Sequence, residues 1–250
     1  MPRIIEYIAD DFGLTPACNA ATILAHTQGA LTGASLMLGQ QATSEAVALA
    51  KQHPHLRIGW HIHLCDSIPV TLPLWPWGSS PAAAGLRIAI SAKARRLARL
   101  EIEAQWSAFE RTGLPCGFVN SHHHLHLHPV IIRTICDVLG QRARGTWLRS
   151  FDYRFLGRPP RAARLTGMTA TAMAPRLRRL WNSDVGTSVW GVDRTFRMEA
   201  SLLRLACQGI GPGRHEFLFH PRHPSESDPD TRALLALRRF RNEPERERHG

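Results

Sequence analysis

The sequence lacks any apolar run near the roughly 20 residues that span a bilayer, because Arg, His or Pro interrupts every candidate. Any membrane contact is therefore expected to be peripheral. It also lacks a CxxC pair: Cys18, Cys65, Cys116, Cys136 and Cys207 are odd in number and widely spread, which argues against a disulfide framework or a zinc ribbon and fits a reducing compartment. The opening MPRIIEYIADDFG has no charged n-region, long apolar h-region or small-residue cleavage site, so no secretion signal and a cytoplasmic location are expected. With no short repeat a solenoid is disfavoured, and with no linker between two cores the 250 residues read as one domain.

Acidic residues are scarce as well. Against 31 Lys+Arg there are 20 Asp+Glu, a net charge of +11 that attracts the phosphates of nucleic acid or of anionic lipid. The excess is mostly Arg and is spread over 87–111, 142–179 and 232–248 rather than one aromatic-interleaved stripe, which argues against a specific nucleic-acid reader. At 44% hydrophobic and 20% charged, the composition supports a sizeable folded core.

What is present is a rhythm of apolar strand-like runs alternating with helical patterns, the mark of a parallel sheet or barrel built from βα units. Strands are expected at residues 4–9, 34–38, 57–64, 117–119, 147–151, 185–190 and 215–219, giving about seven units. Thr15 with Pro16, Pro129, and Asp228 with Pro229 mark helix starts. Residues 65–90, rich in Pro, Trp, Gly and Ala, are too long for a routine connection and read as a lid or substrate loop, and 242–250 as a frayed charged tail.

Four motifs fall at the carboxyl ends of expected strands, where such folds build their sites. Asp10 and Asp11 are adjacent acids after the first strand; one can hold a metal while the other stays free as a base, or the pair is a solvated turn. In GWHIHL, alternation puts His61 and His63 on one face, either as hydrogen-bonded core residues or looking into a site. NSHHHLHLHP carries five histidines in seven residues, and its HxHxH alternation can direct imidazoles, the commonest ligands of divalent transition metals, into one cavity. The plainer reading is a partly solvated loop. His220, ending EFLFHP, can donate a proton to a leaving group or sit at the surface, and Arg149 can contact an anion or acetyl oxygen or form a surface ion pair. Their convergence on one rim is what argues for a site.

Taken together, ADDFGLTPACN, GWHIHL, NSHHHLHLHP and EFLFHP resemble the YdjC-like carbohydrate deacetylases, over nearly the whole chain. ASLMLG and VNSHHHLHLHP are most similar to the hopanoid biosynthesis-associated branch, which implies an N-acetylglucosaminyl lipid as substrate. The resemblance implies a seven-stranded (β/α) barrel related to the TIM barrel. It implies one divalent ion, Zn²⁺ or Mg²⁺, held by Asp11, His61 and His122, with Asp10 as base and His220 as acid. His63, His124, His126 and Arg149 would support the ligands or face substrate. The chain departs from the wider family at Asn120, commonly Asp, and at His63 and Cys65, commonly Asn and Thr, which argues against a simple chitobiose-type substrate. A Trp75 and Trp77 loop and the basic stretch 158–181 are expected to rest on an anionic membrane. Rivals are a deacetylase of soluble chitooligosaccharides, a hydrolase of another amide or ester, a non-catalytic metal-binding protein and a basic nucleic-acid-associated protein.

Overall fold

Local chemistry sets where the elements begin. After strand β1 (Arg3–Phe12), the Thr15 hydroxyl accepts from the Cys18 N–H at 3.1 Å and Pro16 opens helix α1 (Pro16–Gln28). Then follow β2 (Gly33–Leu36), α2 (Thr43–Gln52) and β3 (Arg57–Ile62). Residues 63–80 are irregular. Ser80 and Pro81 start α3 (Pro81–Ile90), so the second part of the stretch read as a loop is a helix. Ser91 caps α4 (Ala92–Thr112), which stops at Gly113 in the left-handed region.

Strand β4 (Phe118–Ser121) leads into a 3-10 turn over His122–Leu127, and α5 (Pro129–Leu139) starts on the His128 side chain, which accepts from the Val130 N–H. The chain continues through β5 (Trp147–Leu148), β6 (Tyr153–Arg154), α6 (Arg161–Leu180), β7 (Ser188–Trp190), α7 (Ala200–Gln208), β8 (Gly213–Phe219) and α8 (Pro229–Arg241). This computed structural model describes residues 2–140, 145–159, 161–181 and 184–241; the expected tail at 242–250 lies outside them.

All eight strands form one parallel sheet in the order β5-β4-β3-β2-β1-β8-β7-β6. The alternating α/β reading holds, but the closed seven-stranded barrel does not: the sheet is curled and open, with β5 and β6 as separate edges. The reason lies in the segment 147–151, expected to be one strand. It leaves the ladder after Leu148, because Arg149 turns into the interior, and the chain resumes as β6 against the opposite edge, on β7. Edge strands of two residues offer too few ladder bonds to close a ring; an isolated bridge from Leu148 to Val185 reaches across.

Alternation along the strands separates apolar positions such as Ala34, Leu36, Trp60 and Ile62 from a second set that carries the buried polar residues Glu6, Asp10, Ser35, His61, Asn120 and Glu216. The core gathers Ile8, Phe12, Leu36, Trp60, Ile62, Phe118, Phe217 and Phe219, all fully buried. Trp60 packs on Trp106, which stacks on Phe109 of α4. Among the described residues no helix is long and apolar enough to cross a membrane, and the five cysteines are free.

Gly59 faces Phe118 in the β3–β4 register, and a Cβ there would overlap the Phe118 ring. Gly59→Ala should therefore cost about 1–3 kcal/mol, and Phe118→Leu in the same chain should recover part of it. Urea unfolding midpoints check this; a Gly59→Ala midpoint equal to wild type would contradict the packing.

Candidate active site

The sheet brings the motif-bearing strand ends together. β1 lies between β2 and β8, so Ala9 pairs with both Ala34 and Phe219, and Asp10 and His220 follow on neighbouring strands. The β1–β2 register shifts between Ala9 and Phe12, and inside this bulge Asp11 has φ of 64°. A bulge re-aims side chains that strict alternation would send to opposite faces, and here it lets both acids serve one site. Gly13, at φ 96°, then passes close to the Met37 carbonyl and donates its N–H to Asn19 Oδ1 at 2.8 Å.

Three of the expected ligands converge. One ligand atom each from Asp11, His61 and His122 lie within 4.8 Å of one another. His122 Nδ1 stands 3.0 Å and His61 Nε2 3.4 Å from Asp11 Oδ1. Yet Asp11 Oδ1 and His61 Nε2 are buried without a hydrogen-bond partner, because these approaches lack hydrogen-bond direction. Lone pairs meeting this way are what a cation satisfies, so the three residues fit a divalent ion. Burial opposes ionisation of Asp11, but His122 and His61 outweigh it and hold its carboxyl well below the usual range. Burial likewise works against the His122 imidazolium, and Asp11 more than offsets it, raising the His122 pKa. On the other side of His61, Nδ1 lies 2.6 Å from Asn120 Oδ1, so Asn120 orients the ring.

Asp10 is held by a second network. Its Oδ1 accepts from Ser35 Oγ at 2.7 Å, Asn120 Nδ2 at 3.0 Å and Arg149 Nη2 at 2.7 Å, while Oδ2 accepts only from Arg149 Nη1, at 2.7 Å. Arg149 is fully buried rather than at the surface, and its Nε and Nη2 also donate to Glu216 Oε1. Burial pushes the Asp10 pKa up, but the Arg149 charge, with His61 and the Arg149 hydrogen bonds, holds it far below the ordinary carboxylate value. Burial pushes Glu216 up despite the same arginine.

The other expected residues lie around this centre. His220 follows β8, next to the end of β1; its backbone N–H donates to Asp230 Oδ2, and its Nδ1 is buried without a partner. The His-rich segment is not an extended alternation. His123 and His124 adopt left-handed backbone at φ 50° and 56°, and the turn splits the imidazoles: His122 to Asp11, His123 to Asp66 at 3.0 Å, and His126 Nδ1 to Ser121 Oγ at 2.7 Å. Such strain, of order 1–3 kcal/mol per residue, gathers at functional sites. His124 Nδ1 and His126 Nε2 are buried and unpartnered, with the His124 ring edge-on to Tyr153.

His63 does not join the cluster. β3 ends at Ile62, and the His63 ring is used by the Leu38 carbonyl, which accepts from Nε2 at 2.9 Å, and by Ser67 Oγ. Asp66, His122 and His123 form a second, more exposed group with metal-ligand spacing. A cavity of about 1020 Å³, lined by Glu6, Lys51, His55 and Arg57 among others, contains none of the candidate residues.

Sequence reasoning missed Ser35 and Glu216. Glu216 left a signal, an acid immediately before the apolar residues Phe217–Phe219 of its strand, whereas Ser35 left none beyond its small size.

Residues 7–249 match the model of the YdjC-like protein family. The chain belongs to the YdjC-like family. YdjC-like relatives named carbohydrate deacetylase include those of Brevibacillus brevis (37% identity over 50% of this chain and 50% of that protein), Vibrio campbellii (34%, over 59% and 61%) and Geobacillus stearothermophilus (32%, over 66% and 62%). The chain thus spans about half to three fifths of the length of the curated relatives it matches. In fold, it is similar to the crystal structure of a candidate cellobiose-phosphate cleavage protein from Enterococcus faecalis V583, with a TM-score of 0.68, 16% identity, and coverage of 96% of this chain and 94% of that one.

Two stability predictions follow from the buried charges. Arg149→Met leaves two buried carboxylates unpaired and should cost about 3–5 kcal/mol, part of it recovered by adding Glu216→Gln; urea unfolding of the single and double variants checks this. Burial holds His63 neutral, with its pKa lowered from 6.5 to about 3, and His126 likewise. Between those values the unfolded chain binds protons that the folded chain refuses, so their contribution is complete above pH 6.5 and is lost as pH falls toward 3. The slope is about 1.4 kcal/mol per pH unit for each histidine. His63→Asn should flatten the acid-side slope by one histidine's share, measured on metal-free protein; an unchanged slope would contradict a neutral buried His63.

Proposed function

We propose that this YdjC-like chain is a metal-dependent hydrolase that removes the acetyl group from an N-acetylated amino sugar. The observation that carries the reading is the meeting of Asp11, His61 and His122, with buried unpartnered atoms, directly beside Asp10. The relatives' printed name supports the same chemistry. Asp11, His61 and His122 would hold a divalent ion, which would supply Lewis acidity to the acetamide carbonyl and make the attacking water easier to deprotonate. Two imidazoles and a carboxylate suit Zn²⁺, with Mg²⁺ the alternative.

The chain's own groups move the protons. Asp10 Oδ2 accepts a single hydrogen bond and keeps a lone pair to take the proton of the attacking water. Arg149 keeps Asp10 ionised and fixes its plane, and Asn120 joins Asp10 to His61 so that base and ligand hold one spacing. His220 protonates the amine as the carbon–nitrogen bond breaks.

The residues act as one domain, with 65–80 as the substrate-side loop leading into α3. The finer substrate is a lipid-linked N-acetylglucosamine of the glycosylated hopanoid type, with the enzyme in the cytoplasm at the inner face of the membrane. This reading rests on the resemblance of ASLMLG and VNSHHHLHLHP to the hopanoid-associated branch. Soluble chitooligosaccharides are the alternative.

Acetate release from an N-acetylglucosaminyl lipid and from chitobiose tests the proposal. Metal-loaded wild type should act on the lipid, chelation should abolish the activity, and Asp10→Asn should lower kcat by about 10²–10⁴-fold while still binding metal. Asp11→Asn and His61→Ala should instead lose the metal, read by elemental analysis. Release from chitobiose alone would move the substrate to soluble sugars, and bound metal without release from either would favour a metal-binding protein.

A further inference from the structure

The surface through which this chain would meet a membrane is not the tryptophan loop. Trp75 and Trp77 stack at 5.7 Å, and their indole N–H groups donate to the carbonyls of Ser67 and Leu64, with Trp77 buried. In the basic stretch 158–181, Trp181 is buried too. Trp75 and Trp77 hold the 63–80 segment together through these bonds, with Trp77 buried and Trp75 partly buried.

Helix α3 behaves differently. It is apolar on every side except for Arg87. Ala84 and Ile88 face the core, and the helix packs on α4 and on the His122–Leu127 turn. One turn apart on the outside, Leu86 is 61% and Ile90 69% exposed, with Ala82 and Ala89 exposed beside them. The segment before it exposes Ile68 at 55% and Leu74 at 78%. A helix apolar all round is ordinarily buried on all sides, so this outer face lacks a covering.

Charge says what kind of covering fits. From Ser67 to Leu100 the sequence has no Asp or Glu and carries Arg87, Lys93, Arg95, Arg96 and Arg99. Arg95 closes the end of α3 by donating to the Ala89 carbonyl, and Arg99 pairs with Glu103 and Asp137. Arg87, Lys93 and Arg96 are exposed. Exposed aliphatic side chains beside unopposed cations are the composition of a surface that lies in the headgroup region of an anionic bilayer.

We infer that the outer face of α3, with the basic start of α4, docks this chain on an anionic lipid surface. The inference deepens the lipid-linked reading and rests on it for its purpose, while its geometry uses none of the catalytic residues. Because α3 packs on the histidine turn, docking there sets the candidate site beside the lipid rather than on the far side of the protein.

Sedimentation of the full chain with phosphatidylcholine vesicles, and with vesicles that also contain phosphatidylglycerol, tests the inference at low and high salt. Wild type should sediment with the anionic vesicles only, and lose binding as salt rises. Leu86→Glu with Ile90→Glu should weaken binding at least about tenfold. Each of Arg87→Gln, Lys93→Gln and Arg96→Gln should weaken it about fivefold. All these positions are exposed, so the variants should fold and release acetate from a detergent-dispersed N-acetylglucosaminyl lipid as wild type does. Wild type left in the supernatant with anionic vesicles at low salt would overturn the inference, as would Leu86→Glu, Ile90→Glu binding equal to wild type. A dimer that this double variant splits, with vesicle binding unchanged, would assign the face to a second copy of the chain. Vesicle binding by a chain that releases no acetate from any sugar would leave the docking face standing and overturn the deacetylase reading instead.

Discussion

The arrangement depends on one buried cation. Arg149 leaves the end of edge strand β5, enters the interior and joins Asp10 near the end of β1 to Glu216 on β8, two neighbouring strands of the sheet. A fully buried guanidinium is tolerable only when its donors are matched by carboxylates, and these two carboxylates would be as costly without it. The same contact ties the β5 end to β1 and β8, and it holds Asp10 ionised.

Around that arginine the site is built from pairs. Asn120 gives its amide N–H to Asp10 and its carbonyl to the His61 ring, so base and ligand share one support. Asp11 stands in a bulge with left-handed backbone, facing His122 at the entry to a turn that contains two more left-handed residues. Left-handed backbone at Asp11, His123 and His124 and unpartnered buried atoms of Asp11, His61, His124 and His126 occur together here. Energy taken from folding is concentrated where a cation and a substrate can return it.

The long 63–80 segment and α3 divide their roles in a way composition could not foresee. Tryptophan is the side chain one first assigns to a lipid interface, yet both indoles here satisfy carbonyls of their own loop. His63 does similar work beneath, bonding Leu38 and Ser67. The exposed apolar surface falls instead to aliphatic residues of a short helix that the sequence hid inside a Pro- and Ala-rich stretch.

The sequence by itself determined the βα alternation, the helix starts at Thr15–Pro16 and Pro129, and the acids and imidazoles at strand ends, because period, capping chemistry and strand direction are local properties written in neighbouring residues. The motifs that hold Asp11, His61 and His122 were legible for that reason, because parallel strands present their carboxyl ends at one rim, and the resemblance to the YdjC-like family is what singled out those three within them. Only the tertiary structure decided that 147–151 is broken, that Arg149 is buried between two acids, that Glu216 and Ser35 belong to the site, and that His63 supports a loop. Each of these depends on what another, distant segment offers a charge or a hydrogen bond, and no local pattern carries that information.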